Sequence, residues 1–161
     1  MKKKILIIKD GGGFALETKR LISGYDSEFN LYYLVPQDNE MNIVIESPNT
    51  YGISKVTAIY NNSKLYKIVS FSRCFFQVLK ILKNEKFHCI IGIGSSVAVP
   101  VFLAAKLFGV KTLFIESITR VTELSKTAKM LLRFNIATKT FVQWESLADK
   151  YPKVEFKGNI L

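Results

Sequence analysis

Residues 5–17 read Ile5-Leu6-Ile7-Ile8-Lys9-Asp10-Gly11-Gly12-Gly13-Phe14-Ala15-Leu16-Glu17, and this run decides the fold. Four aliphatic residues in a row, with no polar alternation, fit a strand covered on both faces, as in a parallel sheet. The three glycines allow a tight turn, and helix is expected from Phe14 to about Ser23. Strand, glycine turn and helix in that order open a βαβ unit.

The alternation continues along the chain. Leu31 to Val35 reads as a strand stopped by Pro36. Gln37 to Thr50 reads as a loop that carries a short strand at Ile43 to Ile45. A further strand is expected over Lys55 to Tyr60, then a turn at Asn61-Asn62-Ser63. Lys67 to Asn84 has helical period: Ile68, Phe71, Phe75, Val78, Leu79 and Leu82 share one face, Arg73, Gln77, Lys80 and Asn84 the other, with Cys74 near the polar side. Cys89 to Ile93 reads as a strand and Ser96 to Phe108 as a helix ended by Gly109. Lys111 to Ile115 is a strand, Leu124 to Phe134 a helix, Thr140 to Val142 a strand, Trp144 to Lys150 a short helix, and Val154 to Phe156 the closing strand. This order predicts an α/β, Rossmann-like, doubly wound parallel sheet in one domain over residues 1–161.

Composition bounds the function. The chain has 161 residues, 48% hydrophobic and 22% charged, which fits a globular domain with a proper core. Lysines and arginines exceed acidic residues by 23 to 13, a net charge of +10 that suits an anionic partner. One histidine, His88, and two cysteines, Cys74 and Cys89, offer neither a disulfide framework nor a metal-ligand spacing. No metal or cofactor is implied. No run reaches the roughly 18 uninterrupted apolar residues of a membrane span, so a soluble or peripheral protein is expected.

Ligands of such sheets bind beyond the carboxyl ends of the strands. Three strand ends carry suitable residues. At the first, Gly11, Gly12 and Gly13 precede a helix whose N-terminus favours an anion such as diphosphate, although the turn is neither a dinucleotide G-x-G-x-x-G nor a P-loop. At the second, Gly94, Ser95 and Ser96 follow a strand, with a serine placed to cap the next helix. At the third, Glu116, Ser117, Thr119 and Arg120 follow Ile115, and Arg120 could hold a phosphate or pair with Glu116. On the helix over Leu124 to Phe134, Lys126, Lys129 and Arg133 fall within one arc beside Met130. That pattern fits either a helix lying on anionic lipid or a packed helix with a solvated basic edge.

Taken in order, these residues resemble the small subunit of the split GT-B N-acetylglucosaminyltransferase that adds the second sugar to dolichol-linked oligosaccharide. They resemble still more its bacterial counterparts, the accessory proteins of capsular and exopolysaccharide glycosyltransferases; MurG is a more distant likeness. The resemblance is strongest over Gly92 to Pro100, Lys111 to Val121 and Val142 to Leu161, including Val142-Gln143-Trp144-Glu145 and Lys157-Gly158-Asn159-Ile160-Leu161. That family's first turn reads Gly-Gly-His before a Glu. Here Gly12, Gly13 and Glu17 match and Phe14 replaces the histidine, which implies that the deprotonating group belongs to the partner, with Asp10 as a substitute candidate.

The resemblance implies the N-terminal, acceptor-binding half of a GT-B glycosyltransferase, itself non-catalytic. Gly11, Gly12, Gly13, Glu17, Gly94, Ser95, Ser96, Glu116, Ser117 and Arg120 would bind an undecaprenyl-diphosphate-linked sugar. Lys126, Lys129, Met130 and Arg133 would meet the cytoplasmic face of the membrane. A catalytic subunit would bring the UDP-sugar. A self-sufficient nucleotide- or nucleotide-sugar-binding enzyme is the alternative. A nucleic-acid module has only the charge in its favour, with no helix-turn-helix, RNP-like or zinc motif.

Overall fold

The computed structural model describes residues 2–23, 25, 27–37, 49–56 and 63–160. Their elements alternate as β1 (Lys4–Ile8), α1 (Gly13–Ile22), β2 (Asn30–Gln37), β3 (Thr50–Ser54), α2 (Lys64–Asn84), β4 (Cys89–Ile93), α3 (Ala98–Leu107), β5 (Lys111–Ile115), α4 (Lys126–Arg133), β6 (Lys139–Val142), α5 (Glu145–Lys150) and β7 (Glu155–Phe156). The strands form one parallel sheet in the order β3-β2-β1-β4-β5-β6-β7.

The apolar run that opened the reading explains the layering. Successive residues of β1 point to opposite faces. Leu6 and Ile8 join a core with Val78 of α2, Phe102 of α3, Leu131 of α4 and Leu147 of α5. Ile5 and Ile7 join a smaller cluster with Cys89, packed against Ile22 of α1 and Leu31 and Tyr33 of β2. Helix α3 lies in the middle of the thick face, where even its first-turn Pro100 is buried. A proline in the first turn of a helix sacrifices no internal hydrogen bond.

Several expectations shift. Pro36 does not stop β2, which runs on to Gln37. The carbonyl of Leu34 accepts from Lys9 N on the β1 side, so two residues later Pro36 faces that same side. The β1–β2 ladder has ended at Ile8–Leu34, and no bond is lost through the missing N–H. The edge strand β3 covers Thr50–Ser54 rather than Lys55 to Tyr60, of which residues 57–60 lie outside the described residues. An edge strand needs little burial, and Ile53 alone of its five residues is buried. The strand expected at Ile43 to Ile45 also lies outside the described residues. Helix α2 starts three residues before Lys67, and α3 and α4 each start two residues later than expected.

On α2, Ser70, Cys74, Val78 and Leu82 form the buried stripe at four-residue spacing, whereas Ile68 is exposed. Cys74 is therefore a core residue, and its burial pushes the thiol up to about 12. Among the described residues no helix is long and apolar enough to cross a membrane.

Candidate functional site

The strand order sets the site. β1 and β4 are neighbours, yet the chain leaves β1 toward β2 and leaves β4 toward β5, so the topology switches between them. A crevice opens at such a point, beyond the carboxyl ends of the strands. The first two glycine turns meet there. Gly12 takes φ 67° at the N-cap of α1, and no side chain caps that helix. Ala15 N donates to the Gly12 carbonyl at 3.1 Å, which leaves the amides of Gly13 and Phe14 at the helix start to meet a ligand. Gly94 takes φ 60°, and a Cβ at this position would run into the Phe14 ring. Phe14, which stands where the resemblance implied a histidine, therefore packs the two turns together.

Asp10 fastens the turns further. Its Oδ1 accepts from Gly11 N at 2.8 Å and its Oδ2 from Ser95 Oγ at 2.6 Å. Ser95 is buried and also accepts from Val97 N at 3.2 Å. These bonds give Asp10 the geometry of a clamp between loops, with both oxygens engaged.

Beyond β5 and β6 the rim is filled from within. Glu17, on α1, is buried and accepts from Ser117 Oγ at 2.7 Å, Ile118 N at 3.2 Å and Gln143 Nε2 at 2.7 Å. Glu116, equally buried, accepts from Ser117 N at 3.0 Å and Ser125 N at 2.7 Å. Gln143 also donates to the carbonyl of Glu116 at 3.0 Å and accepts from Ile160 N at 2.9 Å. Buried carboxylates are tolerated when donors surround them in this way. Trp144 adds one more tie through Nε1 to the carbonyl of Ile118, at 2.7 Å.

This network corrects the expectation that Glu17, Ser95, Glu116 and Ser117 present their side chains to a ligand. All four point inward and hold the loops that do the presenting. The alternative Glu116–Arg120 pair is not formed. Arg120 is exposed and makes no ion pair among the described residues. Gln143 joins α1, the β5 end and the C-terminal segment. The sequence signal for it was a polar residue between two apolar ones directly after β6.

In front of the network lies an open cavity of about 760 Å³. It is lined by Gly11, Gly12, Phe14, Gly94 and Ser96 of the two turns, with Asp10 that joins them, by Arg120, Glu123, Ser125, Lys126 and Lys129 around the start of α4, and by Lys55. Lys126 and Lys129, expected on lipid, thus line the cavity that holds the glycine turns. Met130 and Phe134 stand exposed on the outer side of α4 with Arg133. Gly13 does not line the cavity.

Helix α4 starts at the rim with Ser125 as N-cap, its Oγ accepting from Ala128 N at 3.1 Å. Glu123 accepts from Lys129 Nζ at 2.8 Å, and that ammonium holds its carboxyl below the usual range, with Lys150 adding to the effect. The helix start of α1, the Arg120 guanidinium and the ammonium groups of Lys126 and Lys129 around one cavity suit a compact, multiply charged anion.

Residues 5–160 match the family model described as oligosaccharide biosynthesis protein Alg14 like. The UDP-N-acetylglucosamine transferase subunit ALG14 of Candida albicans is 30% identical over 99% of this chain and 82% of its own length. That of Yarrowia lipolytica is 32% identical over 65% of this chain, and the match spans about half, 48%, of the relative. A Prochlorococcus marinus protein named UDP-N-acetylglucosamine–N-acetylmuramyl-(pentapeptide) pyrophosphoryl-undecaprenol N-acetylglucosamine transferase is 22% identical over 72% of this chain and 32% of its own. Among solved structures, Acinetobacter baumannii MurG superposes with a TM-score of 0.65 at 20% identity, covering 88% of this chain and 41% of that one, a likeness of fold.

Proposed function

Because the chain belongs to the Alg14-like family of oligosaccharide biosynthesis proteins, we propose that it is the acceptor-binding, non-catalytic subunit of a two-component glycosyltransferase. It holds a polyprenyl-diphosphate-linked sugar, and a separate catalytic subunit brings the UDP-sugar. The carrier is undecaprenyl diphosphate, the setting capsular or exopolysaccharide assembly, and the place of work the cytoplasmic face of the membrane. One observation carries the reading: the cavity at the β1–β4 switch point joins both glycine turns to Arg120, Lys126 and Lys129. A diphosphate placed there meets main-chain donors on one wall and cations on the other.

In this arrangement the subunit contributes position rather than proton transfer. Asp10 is tied into the turns, and Phe14 has no group that exchanges a proton. The deprotonation of the acceptor hydroxyl falls to the partner, and fixing the acceptor in one orientation is what this chain supplies. The test is a transfer assay with a lipid-linked acceptor and UDP-sugar, using each subunit alone and both together. Transfer is expected only from the mixture. Full activity of the catalytic subunit by itself, or tight binding of a UDP-sugar by this chain alone, overturns the reading.

A further inference from the structure

The rim cavity does not end at α4. On the far side of Leu124 and Lys129 lies a second hollow, a groove of about 410 Å³ between α4 and the segment after α5, floored by Leu124, Leu132, Tyr151 and Pro152. Its volume is in the range of small-ligand sites, about 300–1,000 Å³. Its character is opposite to that of the cavity: the lining is apolar, and the charges, those of Lys129, Arg133 and Lys153, are the outer ends of long side chains. Such side chains cover apolar surface with their stems while their heads reach for water or phosphate.

Leu124 and Lys129 belong to both hollows. We propose that the groove between α4 and the Tyr151–Lys153 segment receives the first isoprene units of a polyprenyl diphosphate whose head occupies the rim cavity. This rests on the reading of the cavity as a diphosphate site and extends it to the lipid. A ligand with an anionic head and an apolar tail fits the pair of hollows without a break. A nucleotide sugar, polar throughout, would leave the groove wet. Arg133 and Lys153 at the groove suit an anionic bilayer. The exposed Met130 and Phe134 beside them extend the apolar surface outward.

Titration of the full chain with inorganic diphosphate, geranyl diphosphate and farnesyl diphosphate, followed by fluorescence of its single tryptophan, Trp144, tests this. Affinity is expected to rise with prenyl length, farnesyl diphosphate binding at least ~10-fold tighter than inorganic diphosphate because more apolar surface leaves water. The variant Leu132→Asp is expected to lose that gain and keep its affinity for inorganic diphosphate. Equal affinity for all three ligands overturns the groove while leaving the cavity reading intact. Prenyl binding lost in Leu132→Asp, with no binding of inorganic diphosphate, leaves an apolar groove without the head site beside it and overturns the proposed pairing together with the cavity reading; no binding of any ligand ends both.

Should Leu132→Asp fail to fold, a photoreactive farnesyl diphosphate analogue on the wild-type chain decides. Labelling at Leu132 and Tyr151–Lys153 sustains the proposal. Labelling confined to the exposed stripe of α2 at Leu65, Ile68, Val69 and Phe76 overturns it.

Discussion

The two halves of the rim carry different residues at their strand ends and use them in opposite ways. At the ends of β1 and β4 the chain presents glycines and leaves main-chain donors facing an open cavity. At the ends of β5 and β6 it presents Glu116, Ser117 and Gln143 and turns all of them inward onto each other and onto Glu17. One half is empty where a ligand fits; the other is filled and rigid. A site for a multiply charged anion needs both, because acidic side chains facing the cavity would repel the ligand, while donors without a fixed frame would not be preorganised.

The sharpest way to break the contrast is to empty the filled half. Glu17→Ala leaves Ser117 Oγ, Ile118 N and Gln143 Nε2 without their acceptor. Each unsatisfied buried group costs on the order of 1–3 kcal/mol, so a loss of about 3 kcal/mol or more is expected in urea denaturation. A ligand-contact role for Glu17 instead predicts wild-type stability and lost binding. Next comes Gly94→Ala on the open half, which forces a side chain into φ 60° and against Phe14. A loss of about 1–3 kcal/mol is expected for the backbone strain, with a further loss for the clash that the double variant Gly94→Ala/Phe14→Ala relieves.

The open half was legible in the sequence because its signals are local. A continuous apolar run, then glycines, then helical period can be read without knowing what lies opposite. The order of such units put these turns at the carboxyl ends of parallel strands, and the structure adds that β1 and β4 are neighbours. The filled half was not legible in the same way. Glu116 after Ile115 reads identically whether its carboxylate faces solvent or the core, and the fold of the following loop onto Ser125 N decides it, just as the hundred-residue separation closed between Glu17 and Ser117 decides the other. Edge strand β3 was missed because Tyr51, Gly52 and Ser54 lack the apolar density that marks the central strands. For α4, the helical period gave the basic arc of Lys126, Lys129 and Arg133 but not the wall that Gly11 and Gly94 build across from it.

Arg120 offers a cleaner separation of the halves, since it follows the filled segment yet faces the open one. Its side chain is exposed and has no ion-pair partner among the described residues, so Arg120→Ala should leave stability within about 0.5 kcal/mol of wild type. Binding of the lipid-linked acceptor, or of inorganic diphosphate, should weaken by roughly tenfold, as the loss of a charge-assisted contact implies. Arg120→Lys should restore only part, because an ammonium lacks the paired donors of a guanidinium. Unchanged affinity in Arg120→Ala would move the anion away from this wall.

The smallest expected effect has the opposite sign and tests the electrostatics of the cavity alone. Glu123 lines it as a full negative charge and engages Lys129. Glu123→Gln removes a charge of the ligand's own sign and frees an ammonium, so diphosphate should bind more tightly, on the order of twofold, with no measurable change in melting temperature. The gain should fade in high salt, since both groups are exposed and screening shortens their reach. It also carries a pH signature. Lys129 keeps Glu123 ionised to lower pH than an ordinary glutamate, so the difference between variant and parent persists into mildly acidic solution. It disappears only once the pH falls through that depressed value and the parent's own carboxyl becomes neutral. A difference that vanished well above the ordinary glutamate range would mean that Lys129 does not hold Glu123 at the cavity, and that the open wall is less cationic in solution than its geometry implies.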